Sequence, residues 1–104
     1  MTQILKFHII FSLNAEKHKC LGENMHELGV LRQIVKTVVR VIEENRIQQV
    51  KHIALEVGET SGFVPYYLTK LFPVAADAYP ALHKTELRIS MVPGRGLLIK
   101  EIGY

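Results

Sequence analysis

The tripeptide Met25-His26-Glu27 places an imidazole beside a carboxylate, and both groups can bind transition metals. A motif this short is also common at ordinary helix starts, where the glutamate faces the positive end of the helix dipole. That dipole disfavours an imidazolium ion, so His26 would stay in the neutral form that binds metals. A metal site and a plain helix start are therefore both compatible with these residues.

Other metal-binding side chains are scattered along the chain. His18 and Cys20 are two residues apart, but an isolated pair of this kind is far more often inert than a metal site. His52 lies in a candidate strand and His83 in a candidate loop, each without a second ligand nearby in sequence. Lone histidines are usually structural or surface residues, so none of these four competes with His26.

Sequence features of an enzyme are lacking. Ser61 has no Gly-x-Ser-x-Gly context, and no glycine-rich phosphate loop ends in Lys-Ser or Lys-Thr. Tyr66 and Tyr67, at the start of a candidate helix, are expected to pack against a sheet, although an exposed tyrosine pair can also anchor a partner. The sequence therefore indicates a protein that is not an enzyme.

Composition indicates one small globular domain. The chain has 104 residues, of which 48% are hydrophobic and 22% charged, with a net charge of +3. Its basic residues are spread out and do not alternate with aromatic residues, which argues against a nucleic-acid partner. A single cysteine excludes an internal disulfide framework and a cysteine-rich zinc site within one chain, and it fits a reducing cytoplasm.

The apolar segment ILKFHIIFSL near the start is not a targeting or membrane signal. It contains Lys6 and His8, and no small-x-small cleavage pattern follows it. It is also too short to span a bilayer. The segment 3–13 is instead expected to be a strand, and we expect neither secretion nor a membrane partner.

An amphipathic helix is predicted to end near Asn45, and its apolar period is visible from Leu28 onwards. Its start carries a capping signal, with Asn24 as the N-cap and Glu27 as the N3 partner. Apolar residues at i, i+3, i+4 and i+7 spacing form its inner face: Leu31, Ile34, Val35, Val38, Val41 and Ile42.

The rest of the chain alternates strands with a second helix. Strands are predicted at 50–57, at 85–92 and in the closing LLIKEI, with turns at GETSG and PGRG. Pro65 suits the first position of a helix, and Pro73 is expected to kink or restart that helix near Phe72. The sequence predicts an α+β two-layer domain, with two helices on a mixed sheet of three strands, or of four if the first segment joins it.

Several strings resemble the HypA family of nickel-insertion chaperones for [NiFe]-hydrogenase, which also serve urease in some bacteria. MHELGVLRQIV is similar to the first residues of that family, and LEVGETSGFVPYYL, FPVAADA, ELRISMVP and GRGLLIKEI follow in order. The resemblance covers residues 25–103. It implies a nickel metallochaperone in the cytoplasm that works with the HypB GTPase and the hydrogenase large subunit.

The resemblance does not include the family's zinc domain, which carries two Cys-x-x-Cys pairs. Val92-Pro93 runs directly into Gly94-Arg95-Gly96 without a cysteine. We expect a tight hairpin between adjacent strands to replace the zinc ribbon, because an excision at such a turn disturbs the sheet least. No zinc is expected, and functions of the family that depend on zinc are not carried over.

Residues 1–24 are an extension relative to the family, whose members hold nickel at the true N-terminus. The resemblance assigns the ligands to the Met25 amine, nearby backbone nitrogens and the His26 imidazole, with Glu27 as a supporting or weak oxygen ligand. Ni(II) with strong nitrogen donors favours a square plane, and an internal Met25 amide is a far poorer donor than an amine. We therefore expect the functional protein to start at Met25; Gly22-Glu23 can be encoded as a purine-rich ribosome-binding signal.

A second hypothesis keeps the extension. The chain would then be a zinc-less HypA-like module for protein–protein interaction, with vestigial metal binding. Its first strand would pair with a sheet edge or with a second chain in a homodimer, because an exposed apolar strand is a liability unless it is paired.

Overall fold

The computed structural model describes residues 2–11 and 23–104, and for 7, 8, 10, 11 and 23–26 it describes the backbone alone. Two long helices cover one face of a four-stranded mixed sheet, which confirms the predicted α+β two-layer fold. In chain order the elements are β1 (Ile4–Phe11), α1 (Glu23–Glu44), β2 (His52–Gly58), α2 (Pro65–Ala75), a short 3₁₀ helix (Pro80–Leu82), β3 (Glu86–Val92) and β4 (Leu97–Gly103).

The strands are arranged in the order β1-β4-β2-β3. β2 and β3 are parallel and are joined through α2, whereas β4 runs antiparallel to both of its neighbours. Alternate residues of β2 face the helices, and Ile53, Leu55 and Val57 are all buried there. This alternation matches the pattern predicted for residues 50–57.

The first strand of the extension belongs to the sheet. β1 pairs antiparallel with β4, with Leu5 opposite Ile102 and Ile9 opposite Ile99. Gln3 and Tyr104 extend this pairing, because each backbone N–H donates to the carbonyl of the other at 2.7 Å. The four-stranded form of the predicted sheet is therefore the observed one.

Helix α1 buries the predicted apolar stripe except for Val41, which is partly buried, and it ends in a regular C-cap. Arg46 adopts a positive φ of 57°, and the N–H of Ile47 donates to the carbonyl of Ile42 at 2.8 Å. This is the six-to-one hydrogen bond of a Schellman motif. The predicted end near Asn45 is confirmed.

The capping box predicted at the start of α1 is wrong. The helix begins at Glu23, so Asn24 lies inside it and is not its N-cap. The carboxylate of Glu27 does not take the predicted role in its own helix either, because it accepts a hydrogen bond from the backbone N–H of Val64, just before α2. A tertiary partner has replaced the local one.

Pro73 does not restart the second helix as predicted. α2 begins at Pro65, as expected, and continues through Pro73 to Ala75. Pro73 lacks the N–H that would donate to the carbonyl of Thr69, so the last turn of α2 forms with one hydrogen bond fewer.

The turn after β3 is not the expected hairpin between adjacent strands. β2 lies between β3 and β4, so residues 93–96 must cross the end of β2. Gly58 permits this crossing, since a Cβ there would meet the carbonyl of Gly94. The crossing is fixed by hydrogen bonds from the Gly58 N–H to the Gly96 carbonyl at 2.7 Å and from the Thr60 N–H to the Gly94 carbonyl at 2.9 Å.

Among the described residues, no helix combines the length and the apolar character that crossing a membrane requires.

Candidate metal site

Met25 and His26 lie in the first turn of α1, where the backbone is helical from Glu23 onwards. Their side chains lie outside the described part of the structure. In this chain the Met25 nitrogen is a backbone amide, because residues precede it. The predicted ligand pair is thus located on the fold by its backbone.

Glu27 is buried, with only 1% of its surface exposed, and it connects the two helices. Its Oε2 atom accepts a hydrogen bond of 3.0 Å from the backbone N–H of Val64, the N-cap residue of α2. Val64 has an extended backbone and no side-chain cap of its own, and the following Pro65 has no N–H. Glu27 therefore does for α2 what the N3 glutamate of a capping box does within one helix, because it accepts from the backbone N–H of the N-cap residue.

The second oxygen of Glu27 has a different environment. Oε1 is buried and has no hydrogen-bond partner among the described groups. A buried carboxylate oxygen without a partner is unfavourable, so it is a candidate to contact a cation or a hydrogen-bond donor. It lies one residue from His26 and two from Met25, and is held in place by the other oxygen.

Sequence reasoning did not find this contact between helices. The available signal was the Val64-Pro65 pair, since a helix whose N-cap residue has no polar side chain must obtain its cap from elsewhere. That signal shows that a partner is needed but does not name it. Only the packing of α1 against α2 identifies Glu27.

The other candidate residues are used by the protein itself. His52 Nε2 lies 3.3 Å from Glu101 Oε2, and His83 Nε2 is 2.8 Å from the carbonyl of Asp77. Ser61 Oγ accepts a hydrogen bond of 3.2 Å from the Phe63 N–H in the turn before α2. In the described part of the chain, no three His, Cys, Asp or Glu side chains are grouped to hold a metal, and His18 and Cys20 fall outside that part.

The expectation that both tyrosines pack against a sheet is wrong for Tyr66, which is largely exposed. Tyr67 is half-buried, but Tyr66 is 64% exposed, and the two rings meet edge to face at 5.4 Å. Lys70 Nζ lies 5.5 Å from the centre of the Tyr66 ring. Tyr66 follows Val64 by two residues, so an exposed aromatic side chain lies at the same end of α2 as the contact with Glu27.

Comparison with known proteins gives consistent matches. The family model described as hydrogenase/urease nickel incorporation, metallochaperone, HypA matches residues 25–97. A hydrogenase maturation factor HypA from Methanosarcina barkeri is 33% identical over 69 residues, which cover 66% of this chain and 51% of the relative. Another from Trichodesmium erythraeum is 35% identical over 72 residues, which cover 69% of this chain and 60% of the relative.

A solved structure shares the fold. The solution structure of a HypA protein aligns with a TM-score of 0.57 at 16% identity, over 64% of this chain and 56% of that one. The chain thus spans between about half and three fifths of the length of the relatives it matches. The matching family is described as a metallochaperone, which confirms the prediction that the chain does not belong to an enzyme family. Because the family model covers most of the chain, the chain belongs to the HypA family of nickel-incorporation proteins.

Proposed function

We propose that this protein is a nickel metallochaperone that binds Ni(II) at the start of α1 and delivers it during [NiFe]-hydrogenase maturation. The observation that carries this proposal is Glu27, a buried carboxylate with one oxygen fixed by Val64 and the other without a partner among the described groups. It lies directly after His26, within the segment that the family model matches.

The ligands in this proposal are the Met25 amine, the backbone nitrogen that follows it and the His26 imidazole. Such nitrogen donors suit the square-planar geometry that Ni(II) favours. The amine exists only if the chain is opened before Met25, and the family match begins at that residue, which supports a terminus there. Glu27 is assigned a supporting role near the metal, and zinc is not part of this proposal.

The acceptors in this proposal are the HypB GTPase and the hydrogenase large subunit, in the cytoplasm. Hydrogenase is favoured over urease because both curated relatives are named as hydrogenase maturation factors. A terminal chelate at a helix end suits delivery, because helix ends open more easily than helix centres and can release their ligands.

The experiment is a Ni(II) titration in which the d–d absorption band of a square-planar site is followed. Three forms are compared: the intact chain, a chain cut before Met25 by a protease site placed in residues 21–24, and the cut chain with His26→Ala. Cleavage leaves β1 in the sample, so the edge of β4 stays covered. We expect one nickel ion per chain in the cut form, and no comparable band in the intact or His26→Ala forms.

Glu27→Gln in the cut form is the matched control for the carboxylate. The amide oxygen of glutamine can still accept the Val64 hydrogen bond, whereas the negative charge is lost. If Glu27 supports the metal, nickel affinity falls while the helix contact is kept. Absence of stoichiometric binding in the cut form would refute the chaperone proposal and leave the interaction module, in which β1 is a permanent fourth strand.

A further inference from the structure

The two edges of the sheet differ in how well they resist pairing with another strand. At one edge, β1 carries Lys6 and has a register shift against β4 between Lys6 and Ile9. Charges and bulges of this kind discourage further pairing. At the other edge, β3 pairs with β2 through seven residues without a register shift. No strand in the described part of the chain covers the outer edge of β3.

The backbone N–H and C=O groups of β3 that do not face β2, the one described strand beside it, belong to three apolar residues. The Glu86 N–H donates to the Lys51 carbonyl, and the Val92 carbonyl accepts from the Glu59 N–H, so both groups point towards β2. Alternate residues of a strand direct their backbone groups to opposite edges. The N–H and C=O groups of Leu87, Ile89 and Met91 therefore point away from β2, along the open edge.

The side chains of these residues are incompletely covered by the helices. Leu87, Ile89 and Met91 pair with β2 residues whose side chains face the core, but Leu87 and Ile89 are only partly buried and Met91 is 44% exposed. The last four residues of β3, Ile89 to Val92, carry no charge. At this edge, the same three residues therefore have both unpaired backbone groups and partly exposed apolar side chains.

We propose that the partner of this edge is a second copy of the chain, with the two β3 strands antiparallel about a two-fold axis at Ile89. Leu87 then lies opposite Met91 of the other copy, and Ile89 opposite its counterpart. The three outward-facing residues of each copy exchange about six N–H···O=C bonds. The apolar rows become continuous on the helix side of a sheet that runs through both molecules.

Charge selects this register over the neighbouring ones. With the axis at Ile89, all seven residues are paired, Arg88 faces Ser90 and Glu86 faces Val92 of the other copy. An axis at Arg88 would set the two Arg88 side chains directly opposite each other, which is unfavourable. An axis at Ser90 would leave Glu86 and Leu87 outside the paired region.

The first test is the oligomeric state of the full chain, measured by sedimentation over a range of concentrations. We expect a dimer that dissociates on dilution. Met91→Lys should raise the dissociation constant about tenfold or more, because it places a charge in the apolar row of the interface. Ile4→Lys is the matched control, since Ile4 is 43% exposed but lies on the β1 edge. A monomer at all concentrations, or a dimer disrupted only by Ile4→Lys, would overturn the proposal.

The second test fixes the register and does not depend on mutant stability. In a Cys20→Ser background, Ile89→Cys is compared with Ser90→Cys under mild oxidation. Residues directly opposite in a hydrogen-bonded pair have Cα atoms about 5.5 Å apart, within reach of a disulfide. Two copies of residue 90 would be offset along the strands and point to the other face. We expect rapid cross-linking of the first variant alone; equal or faster cross-linking through the exposed residue 90 would contradict this register.

Discussion

The carboxylate of Glu27 in α1 accepts the backbone N–H of Val64, the N-cap residue of α2, at 3.0 Å. One side chain therefore joins the helix that carries the candidate metal ligands to the helix that presents Tyr66 to solvent. A change at the start of α1 that moves this carboxylate also removes the cap of α2. The Glu27 carboxylate has two roles that mutations can separate. Its Oε2 atom accepts a hydrogen bond, and it places an acidic group next to His26 in the sequence.

Glu27→Ala should destabilise the fold by about 1–2 kcal/mol, because the N-terminus of α2 loses its cap and a buried side chain is removed. Glu27→Gln should stay within about 0.5 kcal/mol of the parent, since its amide oxygen can accept the same bond. Urea unfolding followed by circular dichroism measures both. Equal losses in the two variants would show that the charge, and not the hydrogen bond, holds the helices together.

Arg46→Gly should stabilise the protein by about 0.5–1 kcal/mol. Arg46 has φ of 57° at the C-cap of α1, a backbone conformation that glycine adopts without the steric cost of a Cβ. Arg40→Gly is the control, because Arg40 is exposed and lies inside the same helix, where glycine costs about 1 kcal/mol. The two substitutions should therefore shift the melting temperature in opposite directions. A loss of stability in both would mean that the Arg46 side chain itself contributes.

Gly58→Ala should destabilise the protein by about 1–3 kcal/mol, the usual cost of forcing extra atoms into a packed site. A Cβ at Gly58 meets the carbonyl of Gly94 and the backbone of Arg95, which cannot rotate away as a side chain could. Gly29→Ala is the matched substitution, because nothing lies within 4 Å of its added Cβ and its helical position favours alanine. Thermal unfolding should show a lower midpoint for the first and a slightly higher one for the second. A neutral Gly58→Ala would indicate that the crossing at 93–96 is loosely held.

The periodicity of apolar residues in the sequence was sufficient to predict the fold class and most of the helices and strands. The stripe from Leu31 to Ile42 and the alternation around Leu55 are local patterns, and burial follows them directly. The position of β4 could not be read in the same way. A turn of four residues between two strands favours a hairpin, and only the strand order shows that β2 lies between them. The glycine at residue 58, which permits the crossing, looked like part of an ordinary turn.

For the candidate site, sequence reasoning named residues but not their contacts. Met25, His26 and Glu27 were selected from their types and from the family resemblance, and the family model matches from residue 25 onwards. Glu27 was assigned to a local cap because sequence spacing reports neighbours within one helix. Its partner Val64 is 37 residues away, and contacts at such a separation depend on how the helices pack. The metal ligands themselves remain a prediction.

Gly103→Ala should disturb the pair formed by His52 and Glu101. The His52 ring lies directly on Gly103, and a Cβ there would meet its Cε1 and Nδ1 atoms. His52 is 4% exposed and its Nε2 lies 3.3 Å from Glu101 Oε2, so a displaced ring would give up that contact. We expect a loss of about 1–3 kcal/mol for Gly103→Ala.

His52→Ala frees the space above residue 103, and the cost of Gly103→Ala should largely disappear in the double variant. A double-mutant cycle by urea unfolding measures this coupling, which should be of order 1 kcal/mol or more. Additive losses would show that the ring and the glycine do not compete for the same volume.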